Sequence, residues 1–253
     1  MTAPRVLPVE RSGDVLVARM SRPDALNALD EPLVEALLKV LSDLPEEVGA
    51  VVLTGAGDRA FCAGADLRRM TELEGEPLDR FLDSTARLFR TLAELPVATI
   101  AAVNGHAHGA GAEIACACDL RVGAPEATFR FPGVRYGLPV GAWHLAGLVG
   151  LGKAKELLLT AELVAAEEAL RIGLLQRLVP RERLVAEAVA LGETIAAHPH
   201  DAVAAIKALL GDAFGGSAGE RMEREHAVRR QAPLRGRARR LMGGALEGKR
   251  AKD

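Results

Sequence analysis

The chain has 253 residues, of which 49% are hydrophobic and only 3% aromatic, and its formal net charge is -2 at pH 7. This length predicts one large domain, or one domain with an appendage, whose core is filled by aliphatic side chains. The near-neutral charge gives no electrostatic reason to expect nucleic acid or an anionic membrane as a partner. No stretch reaches the ~18 apolar residues of a membrane span, and three cysteines in apolar surroundings favour a cytoplasmic location.

Short strands and helices alternate in the first half of the chain. Val15–Arg19 and Ala50–Thr54 are predicted strands, and the second has the continuous apolar character of a strand buried on both faces. Asp30 is a predicted N-cap for a helix with one apolar face. A second amphipathic helix is predicted from Leu78 to Leu92.

The segment Pro96–Asp119, PVATIAAVNGHAHGAGAEIACACD, is the most informative stretch of the chain. Its apolar, partly β-branched beginning predicts a buried strand, which three glycines within seven residues then interrupt. A helix beginning near Gly109 would direct unpaired backbone N–H groups at this turn. Glu113 follows in an apolar setting, so the segment predicts a site for a developing negative charge.

The rest of the chain is predicted to be mostly helical. Short strands are expected at 120–123 and 176–179, with a loop at 129–141. Helices are predicted at 142–149, 153–160, 166–172, 183–197, 201–214, 218–230 and 237–247. This order indicates an α/β core followed by a helical region, with the division placed at 1–182 and 183–253.

Three other motifs use the same residue types without their required context. Gly55-x-Gly57-x-x-Ala60 lacks the helix that must directly follow a dinucleotide-binding turn, and Gly147–Ala154 lacks the Ser/Thr of a phosphate loop. Cys116-x-Cys118 has no second pair at zinc spacing, so no metal is expected.

The C-terminal arginines are interpreted as a solvated or intersubunit face, with a basic patch for a phosphorylated ligand or RNA as the alternative.

Four segments in order resemble the crotonase (enoyl-CoA hydratase/isomerase) superfamily. They are DALNALD at 24–30, VVLTGAGDRAFCAGADL at 51–67, PVATIAAVNGHAHGAGAEIACACDLRV at 96–122 and KELLLTAELVAAEEALRIGLLQRLV at 155–179. The resemblance implies repeated ββα units, a C-terminal helical trimerisation region, and a homotrimer or dimer of trimers. It also implies an acyl-CoA thioester as ligand, with coenzyme A as part of the substrate and no separate cofactor.

The same resemblance assigns roles to individual residues. The backbone N–H groups of Ala65 and Ala110 are implied to form an oxyanion hole, and Glu113 to be the catalytic acid/base. The residues implied to bind the CoA and acyl portions are Asp24, Ala25, Leu26, Ala63, Ala65, Asp66, Leu67, Arg68, Gly109, Ala110, Gly133, Tyr136 and Trp143.

The chain departs from hydratases of this family at their second carboxylate. Gly133 stands in the place of that glutamate, and the shortened loop 138–145 carries Trp143 and His144. Glu113 could act alone, or His144, Tyr136 or an arginine could supply the second function. We therefore expect a hydratase-like lyase, with another superfamily reaction (decarboxylase, thioester hydrolase or isomerase) or a degenerate acyl-CoA-binding protein as alternatives. If the missing acid limits hydration, Gly133→Glu is expected to raise it.

Overall fold

The computed structural model describes residues 6–231 together with 234, 236, 237 and 240–242. The strands in this part of the chain are β1 (Val9–Ser12), β2 (Val15–Met20), β3 (Ala50–Gly55), β4 (Ala60–Cys62), β5 (Ala98–Val103), β6 (His106–His108), β7 (Leu120–Gly123), β8 (Thr128–Arg130), β9 (Val164–Ala165) and β10 (Arg177–Leu178). The α-helices are α1 (Glu31–Ser42), α2 (Leu67–Glu72), α3 (Glu76–Glu94), α4 (Ala110–Ala117), α5 (Ala142–Val149), α6 (Leu151–Thr160), α7 (Ala166–Arg171), α8 (Leu184–Ala196), α9 (His200–Gly211) and α10 (Ala218–Arg229).

Six strands form the larger sheet, in the order β1-β2-β3-β5-β7-β10. All neighbours are parallel except β1, which pairs with β2 antiparallel. Every residue of β3 and β5 is buried, as their apolar sequences predict. One face of the sheet packs against α8, where Val15, Val52 and Ile100 join Leu184 and Ala188 in a buried cluster.

Four short strands form the second sheet, in the order β4-β6-β8-β9. Strands β4 and β6 are parallel, with Ala60 opposite His106 and Cys62 opposite Ala107. The chain leaves both strands at the same edge of the sheet and enters the turns that precede α2 and α4. This second sheet therefore brings together two segments of the chain that lie some 45 residues apart in sequence.

Most predicted elements are present, with small shifts at their ends. Asp30 caps α1 by accepting a hydrogen bond from the Leu33 amide at 3.0 Å, and Ser217 and Glu220 form a capping box at α10. The predicted loop at 129–141 is wrong in part, because it contains most of β8 and a 3₁₀ helix at Pro132–Tyr136. The predicted helix at 237–247 lies partly outside the described residues, and those of its residues that are described are helical.

The chain divides into two compact units, Met1–Ala197 and His198–Asp253. The predicted boundary at residue 182 falls before α8, and α8 belongs with the first unit because its apolar face is buried on β2, β3 and β5. The second unit contains α9 and α10. In the part of the chain that the structure describes, no helix combines the length and apolar character needed to cross a membrane.

Candidate active site

Two glycine turns meet at the edge of the second sheet. A β-carbon added to Gly64 would lie 2.8 Å from the His108 carbonyl oxygen and 3.4 Å from the Ala110 amide nitrogen. Both Gly64 and Gly109 have positive φ, +107° and +51°, which glycine adopts readily. The absence of side chains at these turns therefore allows the backbone before α2 to approach the first residue of α4.

The amides of Ala65 and Ala110 have no hydrogen-bond partner among the described residues. Ala65 forms a parallel bridge with Leu29, in which the bonds are made by the neighbouring Gly64 carbonyl and Asp66 amide, each at 2.8 Å. Ala110 is the first residue of α4, where the backbone N–H has no partner within the helix. The structure thus brings the two predicted oxyanion-hole donors to adjacent turns. Ala110 also keeps a negative φ, as its replacement of glycine requires.

Glu113 lies in the first turn of α4 and is only 6% exposed. Burial raises the pKa of its carboxyl to about 7, although the neighbouring Trp143 side chain acts in the opposite direction. A carboxyl with this pKa exchanges protons readily near neutral pH, as a general acid/base must. The acid/base role of Glu113 stays a prediction.

The two segments predicted to bind CoA are hydrogen-bonded to each other. The Ala63 amide donates to the Leu26 carbonyl at 3.0 Å, next to the bridge between Leu29 and Ala65. Asp24 and Ala25 lie in a short 3₁₀ helix that ends at Leu26, whose φ is +52°. These contacts fix the predicted binding segments as one continuous backbone surface.

A cleft of about 590 Å³ lies beside this backbone surface, and both Asp66 and Arg68 line it. Arg22 also lines the cleft and forms ion pairs with Asp66 at 2.9 Å and with Asp30 at 3.1 Å. Burial disfavours the ionised Asp66 carboxyl, but hydrogen bonds from Arg22 and from the amides of α2 outweigh it and lower the pKa of Asp66. Arg68 is exposed at the start of α2, as is Leu67.

The space around Gly133 is too small for a side chain. A β-carbon there would lie 2.6 Å from Val140 Cγ2 and 2.7 Å from the Leu138 carbonyl oxygen. The Leu138 amide also donates to the Gly133 carbonyl at 2.9 Å. The shortened loop therefore occupies the space in which the family's second glutamate would lie. The expectation that Gly133→Glu raises hydration does not take this packing into account.

Trp143 and His144 reach the site from α5. Their rings stack with centroids 4.0 Å apart and an interplanar angle of 12°. Burial lowers the pKa of His144 to about 4, and both of its ring nitrogens are buried with no hydrogen-bond partner in the described part of the chain. Tyr136 is 58% exposed on the 3₁₀ helix. Among the side chains proposed to supply the second function, His144 lies near the Glu113 main chain.

Two buried asparagines that the sequence analysis missed hold the site's backbone in place. Asn27 donates to the carbonyls of Ala56 and Ala60 at 2.9 and 2.8 Å. Asn104 accepts from the Gly55 amide at 3.1 Å and donates to Gly57 at 3.0 Å. Their position beside glycine-containing turns was a usable signal, since asparagine often bonds local backbone groups there.

The fold thus places two closely approaching glycine turns and a buried carboxyl at one edge of the second sheet. The chain belongs to the enoyl-CoA hydratase/isomerase family, because the sequence model of that family matches residues 10–232. It is 39% identical over 200 residues to the short-chain-enoyl-CoA hydratase of Clostridium acetobutylicum, covering 77% of each chain. It is 36% identical over 184 residues to the crotonyl-CoA hydratase of Syntrophomonas wolfei, covering 71% of each. The crystal structure of enoyl-CoA hydratase from Bacillus anthracis superposes with a TM-score of 0.84 at 30% identity, covering 88% of this chain and 89% of that one.

Proposed function

We propose that this protein adds water to a 2-enoyl-CoA, with Glu113 as the acid/base and the Ala65 and Ala110 amides as the oxyanion hole. The single observation that carries the proposal is the burial of Glu113 in the first turn of α4, directly beside the two converging turns. The names of the two hydratases reported above support the same reaction.

The reaction balances with one carboxyl group. Ionised Glu113 takes a proton from water as the water oxygen bonds to Cβ, and the double-bond electrons move towards the thioester carbonyl. The resulting enolate oxygen accepts hydrogen bonds from the Ala65 and Ala110 amides, each worth about 3–4 kcal/mol in comparable sites. Glu113 then returns its proton to Cα, which regenerates the carboxylate and leaves a 3-hydroxyacyl-CoA.

The CoA portion is assigned to the joined segments around Asp24–Leu26 and Ala63–Arg68. Arg68 at the edge of the cleft is positioned to meet a phosphate group, while Arg22 is already ion-paired with Asp30 and Asp66. Coenzyme A enters as part of the substrate, and no other cofactor is needed for the steps above. We further propose a role in fatty acid metabolism, a cytoplasmic location, and a homotrimer or dimer of trimers.

One observation favours a second candidate function. Because the loop at Leu138–Val140 occupies the space beside Gly133, the site lacks the second carboxylate with which related hydratases divide the work. Another superfamily reaction, such as decarboxylation, thioester hydrolysis or double-bond isomerisation, needs a different set of acid/base groups. Binding of acyl-CoA without turnover is the remaining alternative.

A panel of acyl-CoA thioesters followed by mass spectrometry distinguishes these candidates, since gain of water, loss of CO₂ and loss of CoA change the mass differently. With a 2-enoyl-CoA we expect gain of water. We expect Glu113→Gln to reduce kcat by at least the 10²–10⁴-fold contribution typical of a general acid/base and to leave CoA binding intact. Loss of CO₂ or CoA instead would contradict the hydratase assignment. Unchanged turnover in Glu113→Gln would contradict the role of this residue.

A further inference from the structure

Arg22 lies where three parts of the chain meet beside the cleft. It directly precedes the 3₁₀ helix at Pro23–Ala25, and its side chain is only 21% exposed. Its Nη1 donates to the Ala28 carbonyl and its Nη2 to Asp66 Oδ2 at 2.9 Å, while its Nε lies 3.1 Å from Asp30 Oδ2. One guanidinium therefore contacts its own loop, the residue before α1 and the residue before α2.

Both aspartates are N-caps, so Arg22 connects the beginnings of two helices. Asp30 Oδ1 accepts a hydrogen bond from the Leu33 amide of α1 at 3.0 Å. Asp66 Oδ1 accepts from two amides at the start of α2, at 3.2 and 3.3 Å. In each carboxylate one oxygen is thus bonded to helix backbone and the other faces the guanidinium. Hydrogen bonds between ionised groups are stronger than neutral ones, and the planar guanidinium fixes their directions.

The contact with Asp66 reaches the predicted oxyanion hole, because Asp66 directly follows Ala65. The backbone groups on either side of the Ala65 amide are bonded to Leu29, each at 2.8 Å. Leu29 in turn lies between the two other residues that the guanidinium contacts. Arg22 therefore holds both segments of the short parallel bridge that carries the Ala65 amide.

We propose that Arg22 is a positioning residue that sets the direction of the Ala65 amide through its simultaneous contacts with Asp66, Asp30 and the Ala28 carbonyl. This inference rests on the proposed function for its catalytic meaning, but the oxyanion hole can be probed without turnover. An amide stabilises a developing oxyanion only where its N–H points at the position that the charged oxygen will occupy. A displacement of about 1 Å at such a group can cost on the order of 10²-fold in rate.

Arg69 provides a matched control in the same cleft. Its guanidinium forms ion pairs with Glu31 at 2.7 Å and with Glu72 at 3.1 Å. Both glutamates lie within the helices, at the first residue of α1 and the last residue of α2. Arg69→Gln therefore removes a cation and two ion pairs from the cleft and leaves the contacts of Arg22 in place.

Acetoacetyl-CoA reports on the oxyanion hole without turnover. Its C2 loses a proton to the solvent at mildly alkaline pH, and the resulting enolate, with its charge on the carbonyl oxygens, absorbs at longer wavelength than the neutral thioester. At a pH where the free probe is mostly neutral, we expect saturating full-length protein to raise the enolate fraction. Arg22→Gln should lower the enolate equilibrium constant of the bound probe by about 10- to 100-fold. Arg69→Gln should leave it unchanged.

Two further variants test whether Arg22 acts through these contacts. Arg22→Lys keeps the charge and replaces the fork by one nitrogen, which cannot take the place of Nε, Nη1 and Nη2 together. We expect it to restore little of the enolate, and it replaces Arg22→Gln if that variant does not fold. Asp66→Asn keeps a side-chain cap on α2, so Arg22→Gln should cost less in that background than in wild type.

Three results would overturn the proposal. They are an unchanged enolate fraction in Arg22→Gln, full restoration by Arg22→Lys, and equal losses from Arg22→Gln with and without Asp66→Asn. A wild type that binds the probe and forms no enolate would overturn both the oxyanion hole and this role of Arg22.

Turnover separates this inference from the proposed function. With a 2-enoyl-CoA, we expect kcat to fall in Arg22→Gln by the same factor as the enolate equilibrium, with KM little changed. A raised KM with an unchanged kcat would make Arg22 a CoA-binding cation and contradict a positioning role, while the hydratase assignment would stand. A wild type that forms the enolate, loses it in Arg22→Gln and hydrates no 2-enoyl-CoA would contradict the proposed function and leave the role of Arg22 supported.

Discussion

Glu113 owes its proton affinity to burial, and the same burial makes its charge unfavourable to the fold. Its pKa is about 7 in the folded protein and 4.5 in its ordinary state. At pH values between these two pKa values, the native state therefore holds a proton that the unfolded chain has released. It follows that the contribution of this residue to stability is fully present below pH 4.5 and is lost as the pH rises through 7.

Removing this charge should therefore stabilise the protein at high pH. We expect Glu113→Gln to raise the free energy of unfolding at pH 8 by up to about 3 kcal/mol and to change it little at pH 4.5. Urea unfolding at both pH values and one protein concentration measures the difference. Glu46→Gln, at an exposed turn position, is the control and should stay within about 0.5 kcal/mol of wild type. Equal stabilisation at both pH values would contradict burial of the charge as the cause.

Among the structural elements, the segment from the 3₁₀ helix at Pro132–Tyr136 to α5 decides how the site differs from that of related hydratases. Its chain doubles back so that Leu138 and Val140 close over Gly133. The loop then enters α5 at Gly141, which has a φ of +83°. The absence of a side chain at Gly133 leaves the space that the shortened loop fills. The missing carboxylate and the shortened loop are thus one structural change.

Gly133→Ala tests this packing directly. We expect a loss of about 1–3 kcal/mol in the free energy of unfolding, since the new methyl group overlaps Val140 and the Leu138 carbonyl. Adding Val140→Ala should recover part of the loss, and only part, because the carbonyl oxygen remains 2.7 Å away. Thermal or denaturant unfolding of the single and double variants measures both effects. A Gly133→Ala protein as stable as wild type would show that the loop moves aside at little cost.

The same packing explains what the sequence could predict and what it could not. Helix α5 was predicted at 142–149 and found there, because its apolar run is bounded by glycines on both sides. Strand β4 and helix α2 were missed, because three and six residues are too few to show a period. The closure of Leu138 and Val140 over Gly133 is a tertiary contact that no local pattern encodes.

At the scale of the whole molecule, the site depends on how parallel strands align distant parts of the chain. Pairing of β3 with β5 and of β4 with β6 sets the two glycine turns side by side. The side chains of buried Asn27 and Asn104 are hydrogen-bonded to the backbone of the loop at Gly55–Ala60 and so hold that loop in place. The residue types at the turns were visible in the sequence, and the resemblance to the family indicated that they act together.

The division into two units can be tested by truncation. We expect a chain that ends at Ala197 to unfold cooperatively, because the first unit keeps α8 on its sheet. A chain that ends at residue 182 loses the partners of Val15, Val52 and Ile100 on that face, so we expect it to aggregate or to unfold at lower temperature. Circular dichroism and sedimentation velocity measure folding and assembly together. If residues 198–253 form the contacts between subunits, the chain ending at Ala197 should sediment as a monomer. A trimer or hexamer of that shorter chain would instead place the assembly contacts within the first unit.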